Sequence, residues 1–113
     1  MQWPTVADNA SMKRIEFVCG IGYGKDGVAL DNLEQRLSDC RGALSLHYQA
    51  FTELDGQGYW AGVAEPVKVF VVFAEVDLIH ALGVAQKLAC ALNQECVAVA
   101  ANEVNFKLVR GAK

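Results

Sequence analysis

The sequence predicts an α+β domain whose elements follow the order β-α-β-β-α-β, with one more strand at the C-terminal end. Two stretches, 31–46 and 78–93, have the apolar period of amphipathic helices. Between them, 67–73 is a nearly continuous run of β-branched and aromatic residues, which is typical of a strand covered on both faces. With 113 residues, 53% of them hydrophobic, the chain fits a single domain at 12–113 preceded by a loose arm at 1–11.

The first strand and the first helix follow from two apolar patterns. Apolar and polar residues alternate from 13 to 19, as in a half-buried strand, with Ile15, Phe17 and Cys19 on the inward side. Asp31 is the expected N-cap of the helix, and Glu34 three residues later completes a variant of the capping box. The helix residues expected to face the sheet share a three- and four-residue spacing: Leu30, Leu33, Leu37, Cys40 and Leu44.

The middle of the chain is predicted as two strands joined by a glycine-containing aromatic corner. The strands are expected at 49–54 and 67–73, with a turn or wide bulge at 55–58 before Tyr59 and Trp60. In the later strand one set of alternate residues should face the helices, and the other set should lie on the opposite face. The first set is Val67, Val69, Val71 and Phe73, and the second is Phe70 and Val72.

The C-terminal third predicts a second helix and two strands. Asp77 can cap the helix, which should end near 93. Strands are expected at 96–101 and 104–109, with Asn102-Glu103 as a hairpin turn between them. The standard packing of this element order is ferredoxin-like: an antiparallel sheet with both helices on one face.

The helix-free face of such a sheet would be too apolar to remain in water. Val18 from the first strand and Phe70 and Val72 from the third are expected on that face. We therefore expect a homo-oligomer, with a dimer favoured, that packs sheet against sheet or completes the sheet across subunits. The alternative is that the chain's tail or the corner loop covers this face.

Composition excludes several classes of partner. A net charge of −3 and a pI near 5.3 argue against binding to nucleic acid or to anionic lipid. We expect no membrane segment, because no apolar stretch approaches spanning length. The four cysteines form no C-x-x-C pair, and no signal peptide pattern precedes them, which predicts reduced thiols, no zinc site and a cytoplasmic protein. Cys19, Cys40 and Cys90 all fall at apolar positions.

Three segments resemble a family of small uncharacterised bacterial and phage α+β proteins. They are ELDGQGYW at 53–60, EPV at 65–67 opening an apolar strand, and LNQECVAV at 92–99. The shared pattern is close to GGxTxxxGxGxW, EPVxVxxV and LNQExVxV, although Gln49-Ala50 stands where the family has Gly-Gly. The resemblance implies a ferredoxin-like fold and implies no activity.

Candidate binding residues lie in two segments. Tyr59 and Trp60, with Glu53 and Asp55 nearby, could line a small-molecule pocket or simply cap one end of the core. A G-x-G-x-x-G motif at 22–27 could cradle phosphate, or could be a solvated loop, since an acid at the spacing of a dinucleotide site is missing. A ferredoxin-like order can bring two residues of that loop, Tyr23 and Lys25, to the same end of the sheet.

The sequence predicts no catalytic residue, metal ligand or cofactor. His47 and His80 are 33 residues apart on different helices, and no nucleophile stands at a recognisable spacing from them. The leading hypothesis is a non-enzymatic cytoplasmic homo-oligomer that binds a small molecule or a protein. One alternative is a small enzyme of the dimeric α+β barrel type with its pocket on the open sheet face. Another is a phage or mobile-element accessory protein that acts by protein contact.

Overall fold

The computed structural model describes residues 12–105, 109 and 111. Four strands form one antiparallel sheet in the order β2-β3-β1-β4. The chain order of the elements fits the ferredoxin-like one. The predicted arm at 1–11, and residues 106–108 of the predicted last strand, lie outside the described residues. The elements are β1 (Met12–Gly20), α1 (Leu33–His47), β2 (Thr52–Trp60), β3 (Val63–Ala74), α2 (Leu78–Ala91) and β4 (Ala98–Val104).

Strands β2 and β3 form one long hairpin, and the predicted turn at 55–58 is wrong. The strand continues through those residues, and the chain reverses at Ala61 and Gly62, whose φ angles of 49° and 82° suit a two-residue hairpin turn. Gly56 and Gly58 have a packing role instead. A Cβ atom on either would come within 3.2 Å and 3.1 Å, respectively, of a methyl group of Val67.

The structure reverses the predicted faces of β3. Phe70 pairs with Phe17 and Val72 with Ile15, so both lie on the face that the helices cover. Phe70 is 0% exposed and Val72 is 1% exposed, which places them in the core of the monomer and off the helix-free face. The opposite set of β3 side chains, including Val69, belongs to the helix-free face together with Val18. A strand that is apolar on both sides does not indicate by itself which side faces the helices.

Strand β4 is also longer than predicted. It runs through Asn102 and Glu103, which pair with Arg14 and Lys13 of β1, so the predicted hairpin turn there is wrong. Both residues are exposed on the outer strand of the sheet, where polar side chains remain in water. An Asn-Glu pair can therefore continue an edge strand as well as turn it.

Both helices cover the same sheet face and enclose a single core. Leu37, Cys40 and Leu44 of α1 and Val84 and Leu88 of α2 pack in one buried cluster with the inward side chains of β1 and β3. Leu78, Ile79 and Leu82, on the other side of α2, are exposed. None of the described helices is long and apolar enough to cross a membrane.

The two helices begin differently. Asp77 caps α2 as predicted, since its carboxylate accepts a hydrogen bond from the His80 backbone N–H at 2.9 Å. Asn32, in a left-handed conformation, precedes α1 without a side-chain cap, so the prediction of Asp31 as N-cap is wrong. Asp31 instead forms an ion pair with Arg36 at 3.0 Å. The end of α1 lies beside the start of α2, as the contact between His47 and His80 shows.

Candidate functional site

The aromatic candidates lie at the far end of the β2–β3 hairpin. Strand β1 pairs with β3 only as far as Val67, so residues 57–66 extend beyond it as a two-stranded ribbon. We call 59–64 the hairpin tip. Tyr59 is 69% exposed and Trp60 is 61% exposed, and Val63 beside them is also exposed. Side chains this open present a surface for contact with another molecule and do not enclose a ligand by themselves.

Glu53 and Asp55 are held in an ionic cluster on the helix-covered side of β2. Arg41 of α1 forms a two-pronged pair with Glu53, at 2.7 Å and 3.0 Å. Lys68 lies 3.0 Å from Glu53 and also contacts Asp55. Hydrogen bonds from Arg41, which outweigh the opposing effect of burial, together with Lys68 lower the pKa of Glu53 to about 2. These carboxylates are therefore occupied with cations of the protein itself.

The glycine-containing segment 20–27 is packed against the hairpin by Glu65. Its carboxylate accepts hydrogen bonds from the backbone N–H groups of Gly22 and Tyr23, at 3.3 Å and 3.2 Å. A Cβ atom at Gly20 would come within 2.8 Å of the same carboxylate. An anion of the protein itself thus occupies the amides that a phosphate would use, which disfavours the phosphate-binding interpretation.

The other residues of this segment are also held within the chain. The backbone N–H of Lys25 donates to the Asn93 carbonyl at 2.8 Å, and the Gln94 side chain donates to the Tyr23 carbonyl at 2.6 Å. Both Tyr23 and Lys25 have exposed side chains. Glu65 therefore links this segment to the ribbon that carries Tyr59 and Trp60.

The helix-free sheet face is mostly apolar. The ionisable side chains that the described strands direct to it are Arg14, Glu16 and Glu65. Arg14 and Glu16 pair with each other at 2.7 Å. Leu54 of β2 is exposed on this face, whereas Val67 and Val71 are buried. The exposed apolar surface of the face therefore includes the edge strand β2.

A cluster of four polar side chains, which the sequence did not predict, lies where the end of α1 packs against α2. We call His47, Tyr48, His80 and Lys87 the histidine cluster. The two imidazole rings meet edge to face with centroids 5.1 Å apart, and the Tyr48 ring lies 5.8 Å from His80. Lys87 Nζ is 2.9 Å from His47 Nε2. Burial, then the charge of Lys87, then His80 lower the pKa of His47.

Two polar atoms of this cluster are buried without a hydrogen-bond partner: the Tyr48 hydroxyl and His80 Nδ1. Tyr48 as a whole is only 6% exposed. Most buried polar side-chain atoms in proteins have at least one hydrogen-bond partner, so two such atoms without a partner in the same cluster are uncommon. Burial also raises the pKa of Tyr48, which keeps its phenol protonated and able to donate.

A cavity of about 310 Å³ opens beside this cluster. It lies between the end of α1, the start of β1, and the segment in which β3 ends. Such a volume is near the lower limit for small-molecule sites. Both apolar and polar groups line it: Met12, His47, Tyr48, Gln49, Ala50, Phe73, Ala74, Glu75 and Val76.

The four cysteines are free thiols that differ in exposure. Cys19 and Cys40 are buried free thiols, and burial raises their pKa to about 12 and about 11. Cys90, expected at an apolar position of the second helix, is exposed, as is Cys96. Within the described residues no group of three or more His, Cys, Asp or Glu side chains is arranged to hold a metal ion.

The histidine cluster could be found only by combining two predictions. The sequence places His47 near the end of one helix and His80 in the first turn of the next. In a ferredoxin-like packing those helices run antiparallel on one face, which brings such positions together. Sequence separation alone suggested two unrelated histidines. No family model and no curated protein matches this chain, so the resemblance noted from its motifs stays a prediction.

Proposed function

We propose that this protein is a homodimeric binding module with a ferredoxin-like fold, whose subunits associate through the free edge of β2 and the hairpin tip. The observation that carries the proposal is the exposed apolar surface of this hairpin, formed by Leu54, Tyr59, Trp60 and Val63. The chain order of the elements supports the finer fold assignment.

Strand β2 has few of the features that keep sheet edges from pairing. It lies at the edge of the described sheet and pairs continuously over nine residues with β3. Natural edge strands are commonly protected by short length, charged side chains, proline or a bulge, and of these β2 has the charges of Glu53 and Asp55, both directed to the helix-covered side. The sequence of β2, TELDGQGYW, contains neither lysine nor proline. A second copy of the same strand is the simplest partner for such an edge.

The acidic residues of β2 restrict how two copies could pair about a two-fold axis. An antiparallel pair centred on Leu54 would place Glu53 opposite Asp55, and one centred on Asp55 would place that residue opposite itself. Like charges directly opposite each other destabilise a strand pair. Centring on Gly56 or Gln57 avoids both contacts. With the axis at Gln57, Leu54 lies directly opposite Trp60 of the partner subunit, and with the axis at Gly56 it lies diagonally opposite that residue, two positions along the strand.

The enzyme alternative has less support from the positions of the ionisable groups. Its pocket was expected on the open sheet face, with histidine or acidic side chains moving protons. Both histidines belong to the helices, on the other side of the sheet. Glu16 and Glu65, which do face the open side, are already paired with Arg14 and with backbone N–H groups. We also propose a cytoplasmic location, supported by four free thiols.

Sedimentation equilibrium over a range of micromolar concentrations tests the dimer. Leu54→Lys places a charge at the proposed contact and should weaken association about tenfold or more, since about 1.4 kcal/mol corresponds to a factor of ten. Leu46→Lys is the matched control, because Leu46 is 80% exposed and belongs to α1, outside the proposed hairpin contact. A monomeric wild type, or equal association of both variants, would contradict the proposal.

A further inference from the structure

We propose that the cavity beside His47 and Tyr48 binds a small carboxylate that carries an apolar or aromatic body. This site is separate from the proposed dimer contact. The cavity borders the residues that precede β2 and follow β3, whereas the hairpin tip lies at the opposite end of those strands. An experiment that contradicts one proposal therefore does not contradict the other.

The apolar part of the ligand follows from the cavity wall. Met12, Phe73 and Val76, with two alanines, contribute most of the lining side chains. A volume of about 310 Å³ admits a ligand about the size of a single substituted ring. Small-molecule sites of this kind gain affinity from apolar contact and orientation from a few polar groups.

The first of those polar groups is Tyr48. Its hydroxyl is buried and has no hydrogen-bond partner, although its ring contacts those of Phe17 and His80, with centroid distances of 6.3 Å and 5.8 Å. A carboxylate is acceptor-only and forms strong hydrogen bonds with hydroxyl donors. A bound carboxylate would thus satisfy a group that the folded chain leaves unpaired.

The second polar group is His47. A lysine ammonium can only donate, so the contact from Lys87 Nζ to His47 Nε2 requires that Nε2 accept. In the neutral imidazole the proton is then on Nδ1, which makes that nitrogen a donor. His47 lines the cavity, so it can supply a second hydrogen bond beside that of Tyr48.

The cation nearest His47, Lys87, lies outside the cavity lining, and the charged side chain within the lining is that of Glu75. Lys87 and His80 of α2 contact His47 from one side, and Glu75, which is exposed, is the acidic residue in the lining. Negative charge beside His47 favours its protonated form. Carboxylate affinity should therefore rise as the pH falls through the range in which His47 titrates.

Benzoate is a suitable probe, and its binding to the full-length protein can be measured by NMR titration. Benzamide and benzylamine serve as the matched neutral and cationic compounds. Benzoate should bind with a dissociation constant in the millimolar range or tighter, at least tenfold tighter than benzamide, and should shift the ring resonances of His47 and Tyr48. Absence of benzoate binding up to about 10 mM would overturn the proposal, because a ligand at its dissociation constant half-fills the site. A preference for benzylamine would also overturn it, since it would make Glu75 the recognising group.

Tyr48→Phe separates recognition from folding. The change removes only an unpaired hydroxyl, so the melting temperature should stay the same or rise, while benzoate affinity should fall at least fivefold. Tyr23→Phe is the control, because Tyr23 has an exposed ring on a different part of the chain. Equal benzoate affinity in both variants would overturn the role given to Tyr48.

Discussion

The hairpin end of the molecule and the histidine cluster differ in how their polar groups are satisfied. Around the hairpin, Glu53 and Asp55 contact Arg41 or Lys68, and Glu65 binds two backbone N–H groups. At the histidine cluster, two polar atoms are buried and have no partner. The neighbouring apolar side chains also differ, because Tyr59, Trp60 and Val63 at the hairpin tip are exposed, whereas Phe17 beside Tyr48 is fully buried.

This difference assigns different roles to the two ends. Exposed apolar side chains on a backbone whose charges are already neutralised are suited to contact with another protein surface. Enclosed and unpaired polar atoms beside a cavity are suited to a ligand that supplies the missing hydrogen bonds. Aromatic residues that stand out in a sequence therefore need not mark the ligand site. Their exposure in the fold decides which of the two roles they have.

The largest expected effect concerns β3, which connects the two ends. Phe70→Ala should lower the free energy of unfolding by about 3–5 kcal/mol, because Phe70 is fully buried beneath the helices. Val69→Ala, one residue away on the helix-free face, should cost about 1 kcal/mol. Urea denaturation of the two variants measures both values. Equal losses would mean that the faces of β3 are assigned incorrectly.

A moderate effect is expected at the ionic cluster of the hairpin. Glu53→Gln removes the charge that binds Arg41 and Lys68, and should destabilise the protein by about 1–3 kcal/mol. Because its pKa is lowered from 4.5 to about 2, Glu53 stabilises the fold above its ordinary pKa. That contribution should disappear as the pH falls from 4.5 towards 2.

The control for this prediction is Glu95→Gln, at an exposed residue in the loop after α2. Thermal melts of the wild type and both variants should be recorded across that acidic range. The difference in melting temperature between the wild type and Glu53→Gln should decrease as the pH falls, whereas the melting temperature of Glu95→Gln should follow that of the wild type throughout. A difference that does not change with pH would show that the side chain stabilises by packing instead of charge.

The smallest effect is expected at the histidine cluster. Burial, Lys87 and His80 together lower the pKa of His47, so the folded state binds fewer protons than the unfolded state on the acidic side of neutrality. This contribution destabilises the protein as the pH falls through the ordinary range of histidine. Lys87→Gln removes one cause and should raise the pKa of His47, measured by NMR titration of its ring. An unchanged pKa would contradict the contact with Lys87.

Element types were predictable from the sequence because they depend on local periodicity. The alternation of Ile15, Phe17 and Cys19, and the cap at Asp77, were sufficient to identify their strand and helix. The ends of the strands were harder to predict, because a glycine can either form a turn or allow close packing within a strand. Gly56 and Gly58 looked like a turn, yet they allow close packing against Val67. The reversal occurs at Ala61 and Gly62 instead.

The candidate site was less predictable because it depends on contacts between distant residues. His47 and His80 meet only after both helices pack on the sheet, and the cavity beside them also needs the end of β3. The apolar residues on both sides of β3 correctly predicted that each face has buried residues. They could not indicate which face packs against the helices. Phe70 and Val72 were therefore assigned to the surface when they form the core.

The difference between the two ends can be tested directly by measuring the benzoate dissociation constant of the wild type, Tyr48→Phe and Trp60→Ala by NMR titration under identical conditions. Trp60 lies at the hairpin tip and Tyr48 lines the cavity. We predict that Tyr48→Phe weakens benzoate binding at least fivefold, whereas Trp60→Ala leaves it unchanged and weakens only dimerisation. Loss of benzoate binding in Trp60→Ala, with full retention in Tyr48→Phe, would contradict the assignment of ligand binding to the histidine cluster.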